Sequence, residues 1–217
     1  YRLIQNGDTV LDIGAHIGWY AINFAKRFPN CKIFCFEPIP FTFEILKSNI
    51  ERNQVQNTSL HNYGLSNKDE ERVFYYFKGG SALASIENLI GHHKTKKIRC
   101  KLRTLDKAIA DLKIHHVDFI KADVEGAELF VFQGAEQTIK HFRPIIFTEL
   151  YEGWCKKCGY SAADVLKFLK NLGYEAYQAV GMKLKKVKSL QLTDDERYNY
   201  FFLNKIKHDK LIKKFTL

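Results

Sequence analysis

The segment Asp8-Thr9-Val10-Leu11-Asp12-Ile13-Gly14-Ala15-His16-Ile17-Gly18-Trp19-Tyr20 constrains this chain more than any other. Val10, Leu11 and Ile13 form a short apolar run, the pattern of a strand buried in a parallel sheet. Asp12 stands near its C-terminal end, and Gly14 and Gly18 bracket the turn that follows. Ile17, Tyr20, Ala21, Phe24, Ala25 and Phe28 then recur at helical spacing. The segment reads as strand, glycine turn and helix. Glycines let backbone approach a ligand where a side chain would block it. The spacing is Asp-x-Gly-x-His-x-Gly, not Gly-x-Gly-x-x-Gly, and the difference bears on which nucleotide-like cofactor fits.

Downstream, Cys31 to Phe36 is a second apolar run ending in Glu37-Pro38, which completes a βαβ unit with a right-handed crossover. Phe43, Leu46 and Ile50 mark a second helix, and Ser59 to Tyr63 a short third strand. From Lys68 the pattern changes. Val73 to Phe77 and Ile98 to Leu102 are strand-like, Gly79-Gly80-Ser81 interrupts them, and residues 82–94 read as a loop. This excursion, residues 68–105, is expected to be an inserted hairpin or loop beside the substrate site, because insertions often shape such sites. Val117 to Asp123 is a fourth strand. One helix stripe runs from Phe130 to Phe142, and Pro144 to Leu150 is a fifth strand. Ser161-Ala162-Ala163-Asp164 resembles a capping box, and Gly173 is placed to end that helix. Tyr174 to Val180 and Tyr198 to Leu203 read as two final strands joined by a Lys-rich link.

With 217 residues, the chain is long enough for one α/β domain, spanning 1–217. It opens at Tyr1 without an initiator Met or signal pattern, and the first strand begins within ten residues, which suggests an upstream segment. No apolar run is long enough for a membrane span. Five cysteines without framework spacing read as free thiols in a reducing, cytoplasmic compartment. Cys155-x-x-Cys158 alone lacks the roughly four ligands of a zinc site. The net charge of +10 gathers in Lys94 to Lys97, Lys183 to Lys188 and Lys205 to Lys214. Such stretches fit solvated loops, or an acidic partner such as an anionic glycan. No nucleic-acid motif is present.

Ligands of an open parallel sheet bind outside the C-terminal ends of its strands. Asp12, Glu37, Asp123 and Glu149 all fall at such ends. Glu37, nineteen residues after Gly18, can accept hydrogen bonds from both ribose hydroxyls of an adenosine-bearing cofactor. Asp12 before the turn would repel a pyrophosphate. S-adenosylmethionine, with an adenosine, an α-amino group and a sulfonium, suits these acids better.

Three stretches together resemble the FkbM-type S-adenosylmethionine-dependent methyltransferases: Asp12 to Trp19, Phe36-Glu37-Pro38, and Val117 to Glu128 with its Asp123-Val124-Glu125-Gly126-Ala127-Glu128 string. The match spans residues 8 to 150, and Gly79-Gly80-Ser81 and Leu105-Asp106 also fit. His16 stands where many methyltransferases have a third glycine. The resemblance implies the class I methyltransferase fold, a three-layer Rossmann-like sandwich around a seven-stranded, mostly parallel sheet of order 3-2-1-4-5-7-6. It implies O-methylation of a sugar, glycan or natural-product hydroxyl. It also implies a cofactor site built from Asp12, Gly14, Ala15, His16, Gly18, Glu37, Pro38, Leu65 and Asp123. In that site Gly14 and Gly18 approach the methionine part, Glu37 holds the ribose, Leu65 borders the adenine, and Asp123 lies near the amine or the transferred methyl.

An alcohol nucleophile gains from a base that takes its proton. Asp123 and Glu125 are the foremost candidates, with Glu128, Glu149, His16 and His61 behind them. A divalent cation on Asp123 and Glu149 would serve instead, but nothing in the spacing demands one. Phe74 to Phe77, Tyr151 and Trp154 are candidates to stack on sugar faces, although the first four also suit strand packing. Two other readings stay open: a nicotinamide-dependent oxidoreductase, and a non-catalytic binding module of the same fold.

Overall fold

The chain's fold, described by a computed structural model for residues 2–76, 96–190 and 192–217, is built around the segment just singled out. Thr9–Ile13 forms β1, whose five residues are all buried. Trp19–Arg27 forms α1, Lys32–Phe36 β2, Pro40–Arg52 α2 and Thr58–His61 β3. Pro40 stands in the first turn of α2, where its missing N–H costs nothing. Gly64–Leu65 (β4), Glu70–Tyr76 (β5) and Lys96–Arg103 (β6) follow, then Leu105–Asp111 (α3) and Phe119–Ala122 (β7). The chain continues through Glu128–Gln133 (α4), Glu136–Phe142 (α5), Ile145–Tyr151 (β8), Glu152–Lys157 (α6) and Ala162–Asn171 (α7). It ends with Tyr174–Val180 (β9), Lys183–Val187 (β10), Arg197–Asn204 (β11) and Asp209–Phe215 (α8).

The main sheet runs β3-β2-β1-β7-β8-β11-β9-β10. Strands β3, β2, β1, β7 and β8 are parallel, and β11 lies antiparallel between β8 and β9. It is thus an α/β sheet of the class expected, with one correction. Among the described residues it has eight strands, not seven, because the Lys-rich link is itself a strand, β10, paired antiparallel with β9. In its sequence, Lys183-Leu184-Lys185-Lys186-Val187, Leu184 is buried and the lysines are exposed, and charged residues of this kind suit an edge strand.

Both faces of the sheet are covered. Leu11, Ile13, Ile120 and Ile146 pack with residues of α3, α4, α5 and α7 on one side. Val10, Ile33, Phe119 and Ile145 pack with α1 and α2 on the other. Burying side chains of this size contributes about 1.5–3 kcal/mol each.

The single stripe read from Phe130 to Phe142 is two helices. A Cβ on Gly134 would lie 1.9 Å from the Ser66 carbonyl oxygen, so that loop crosses where the helix would continue. The Gly134 carbonyl accepts instead from the Asp106 amide at 3.0 Å. Asp106 then caps α5, accepting from the amides of Gln137 at 3.1 Å and Thr138 at 2.8 Å. The expected capping box is present, with the Ser161 amide donating to Asp164 at 2.8 Å, and Gly173 follows α7 at φ 85°.

The excursion forms a second sheet, β4-β6-β5. Phe74, Cys100 and Leu102 pack there with Ile39, so Phe74 is spent on packing as much as on any ligand. Gly79-Gly80-Ser81, Phe77 and residues 82–94 lie outside the described residues. None of the five cysteines is in a disulfide, and Cys155 of the Cys-x-x-Cys pair is buried in the core. Among the described residues no helix is long and apolar enough to cross a membrane.

Candidate functional site

Chain order reverses between β1, which leads to β2 and β3 on one side, and β7, which leads to β8 on the other. A cleft of 160 Å3 opens at the C-terminal ends of these strands, where ligands bind in sheets of this kind. Gly14, His16, Glu37 and Pro38 line one side, Leu65 borders it from β4, and Asp123 and Glu125 close the other.

The turn after β1 is tied to β2. The amides of Gly14 and Ala15 both donate to the Phe36 carbonyl at 3.0 Å, and the His16 amide donates to Glu37 Oε2 at 3.0 Å. No amide among these three is left to cradle a phosphate, which is a stronger argument against a pyrophosphate than the charge of Asp12. Gly14 has φ 72°, and a Cβ there would lie 2.0 Å from the Asp123 carbonyl oxygen. The turn and the end of β7 touch through backbone, and only glycine permits it.

Glu37 is 5% exposed. Its other oxygen accepts from the Ile39 amide at 3.0 Å. Burial pushes its carboxyl up to about 7, against the pull of those two amides. Each oxygen keeps a lone pair for a further donor.

Asp12, Ala15 and Gly18 are not among the residues that line the cleft. Asp12 is fully buried under the turn, and Lys121 Nζ stands 3.1 Å from its Oδ1. Ala15 is 4% exposed, in the core beneath α1. Gly18 is left-handed at φ 90° as the residue before α1, and a Cβ there would lie 2.7 Å from Leu46 Cδ1. Its small size serves helix packing.

On the far side of the cleft, Glu125 adopts a positive φ of 56°, a costly backbone for a residue with a Cβ. Glu128 holds that loop. Its Oε1 accepts from the amides of Val124 at 3.0 Å and Gly126 at 3.3 Å. Tyr160 adds a bond from its hydroxyl to the Gly126 carbonyl at 2.8 Å. Burial pushes Glu128 up to about 7 as well. Glu128 is thus a clamp, 2% exposed, rather than an acid facing the cleft. Asp123, Glu125 and Glu149 each place one carboxylate oxygen within 4.8 Å of the others. Such a set can accept a proton or a hydroxyl donor. It has ligands for a divalent cation too, although acids often cluster without one.

His61 stacks between Phe34 and Phe36, with ring centroids 6.2 and 5.1 Å away, and its Nε2 bonds to the Ser59 hydroxyl at 3.0 Å. It is a packing residue of β3. His16 lines the cleft, and burial lowers its pKa. The Tyr151 and Trp154 rings contact each other at 4.8 Å where β8 meets α6. Trp154 also backs the loop that carries Glu125, since a Cβ on Gly126 would lie 2.9 Å from its Cβ. Two of the basic stretches stand elsewhere: Lys183 to Val187 is the outer edge strand, and Lys210, Lys213 and Lys214 lie on α8, while Lys94 falls outside the described residues.

Sequence reasoning missed Lys121 and Tyr160. Lys121 carried a signal, a charge inside an otherwise apolar strand. Tyr160 carried none, because its partners are 32 and 34 residues away.

The family model described as "Methyltransferase FkbM domain" matches residues 12–176. The 2-O-methyltransferase NoeI of Sinorhizobium fredii is 28% identical over 171 residues, covering 70% of this chain and 69% of that protein. The hexuronic acid methyltransferase AglP of Haloferax volcanii is 27% identical over 152 residues, covering 69% of this chain and 58% of that one. The chain spans between 9% and 62% of the length of the first curated relatives it matches. The crystal structure of a methyltransferase FkbM from Methylobacillus flagellatus shares the fold. Its TM-score is 0.57 at 15% identity, over 92% of this chain and 45% of that one.

Proposed function

Because this chain belongs to the FkbM methyltransferase domain family, we propose that its cleft binds S-adenosylmethionine and transfers the methyl group to a hydroxyl of a sugar or small natural product. The observation that carries this reading is Glu37, a carboxylate at the end of β2 that faces the same cleft as Leu65 and Asp123. Its two remaining lone pairs suit two ribose hydroxyls. Leu65, 4% exposed, offers an apolar wall for a base. The name of NoeI supports methylation at oxygen, and that of AglP supports a sugar acid as acceptor.

The bound cofactor supplies an electrophilic methyl on a sulfonium. The chain's own part is to position the acceptor and take its proton. Asp123 and Glu125 are the residues proposed for that proton, and Asp123 also suits the cofactor's ammonium. Asp12 lies below the turn and supports it, and so do Ala15 and Gly18. Hydroxyls of a sugar or polyol can donate to the carboxylates on this side of the cleft.

A methyl-transfer screen by mass spectrometry, with neutral sugars, hexuronates and hydroxylated natural products, tests the reading. Transfer to a hydroxyl of one of these acceptors is expected, and Asp123→Asn should cut turnover more than acceptor binding. Binding of S-adenosylhomocysteine without transfer to any acceptor would instead support a non-catalytic module. Calorimetric binding of NADH in its place would support an oxidoreductase.

A further inference from the structure

Lys121 is 3% exposed and sits on the central strand β7 between Ile120 and Ala122. Burying an ammonium is costly unless acceptors surround it, and here they come from three segments. Lys121 Nζ donates to the Gly14 carbonyl at 2.7 Å and to the Ile13 carbonyl at 3.5 Å. Asp12 Oδ1 lies 3.1 Å away and Asp123 Oδ2 3.8 Å away. The Tyr20 ring of α1 faces it at 5.2 Å.

The two carboxylates differ in kind. The Asp12 side chain has no exposed surface, so its charge is spent on the lysine. That of Asp123 is 36% exposed and lines the cleft. One ammonium therefore ties a buried acid, the carbonyl of the glycine turn and the acid at the cleft together. The backbone contact between Gly14 and Asp123 forms the floor of the cleft, and Lys121 sits against both residues that make it.

We infer that Lys121 is a positioning residue for cofactor binding, fixing the Gly14 carbonyl and the Asp123 carboxylate in one arrangement. This rests on the cleft being the S-adenosylmethionine site proposed above.

The experiment compares wild type, Asp12→Asn, Lys121→Met and the double variant, by thermal unfolding and by calorimetric titration with S-adenosylhomocysteine. Lys121→Met should unfold at a lower temperature, because it leaves Asp12 buried without its counter-ion. The double variant removes both charges and should recover most of that loss. It should still bind S-adenosylhomocysteine at least tenfold more weakly than Asp12→Asn, which keeps the ammonium. A double variant that binds as tightly as Asp12→Asn, or one that does not fold, overturns the inference, because either gives Lys121 a purely structural role. Failure of the wild type to bind S-adenosylhomocysteine would instead refute the cofactor assignment of the cleft.

Discussion

If Glu37 holds the ribose, cofactor affinity must follow its ionisation. In the free protein burial holds its carboxyl up to about 7, against an ordinary value of 4.5. Ribose hydroxyls donate to the ionised form, so binding draws on the ionised fraction. Below about pH 7 that fraction falls tenfold per pH unit. Affinity for S-adenosylhomocysteine at about pH 5 should therefore be roughly 100-fold weaker than at about pH 8, or about 3 kcal/mol. The stability of the free protein runs the other way. A carboxyl raised in the folded state favours folding fully below its unfolded value, near 4.5, and that contribution is lost as pH rises through about 7. Glu37→Gln keeps the shape and removes the titration. Its amide can accept from only one of the His16 and Ile39 amides and opposes the other with an NH2 group. We expect the variant to bind about 10- to 100-fold more weakly near pH 8, the loss of charge-assisted bonds worth about 1.5–3 kcal/mol. Its affinity should then vary little with pH. Isothermal titration across that range, in two buffers of different ionisation enthalpy, also counts the protons released. A flat wild-type profile, or a slope that survives in Glu37→Gln, would refute the reasoning.

Gly14→Ala should abolish S-adenosylhomocysteine binding and cost about 2 kcal/mol or more in urea unfolding, because its Cβ would meet the Asp123 carbonyl at 2.0 Å; an unchanged midpoint would show that the turn relaxes freely. Asp106→Ala removes the cap of α5 and should cost about 1–3 kcal/mol while leaving S-adenosylhomocysteine affinity intact. A loss of affinity there would couple α5 to the cleft. Glu128→Gln should flatten part of the fall in stability between about pH 5 and pH 8, since burial raises that carboxyl to about 7 as well. A wild-type slope in that variant would remove Glu128 from the account.

The sequence by itself determined the strand–turn–helix at Asp8 to Tyr20, the crossover to Glu37, and the acids at the strand ends. These features are local. A strand shows its apolar run, a helix shows its period, and a turn needs glycine within a few residues. The family resemblance rested on the same local strings. What the sequence could not decide was which of those acids faces a ligand. Asp12 and Asp123 look alike as strand-end acids, yet one is sealed under the turn and the other opens to the cleft. Lys121 pairs with both, although it is two residues from Asp123 and more than a hundred from Asp12. Glu37 and Glu128 look alike too. Tertiary structure made the first a wall of the cleft and the second a clamp on the loop that carries Glu125. The break at Gly134 and the edge strand β10 belong to the same class. Each depends on a neighbour brought in by the fold, the Ser66 loop in one case and β9 in the other. Periodicity reports which face of an element is apolar; which atoms meet across elements is set only when the layers pack.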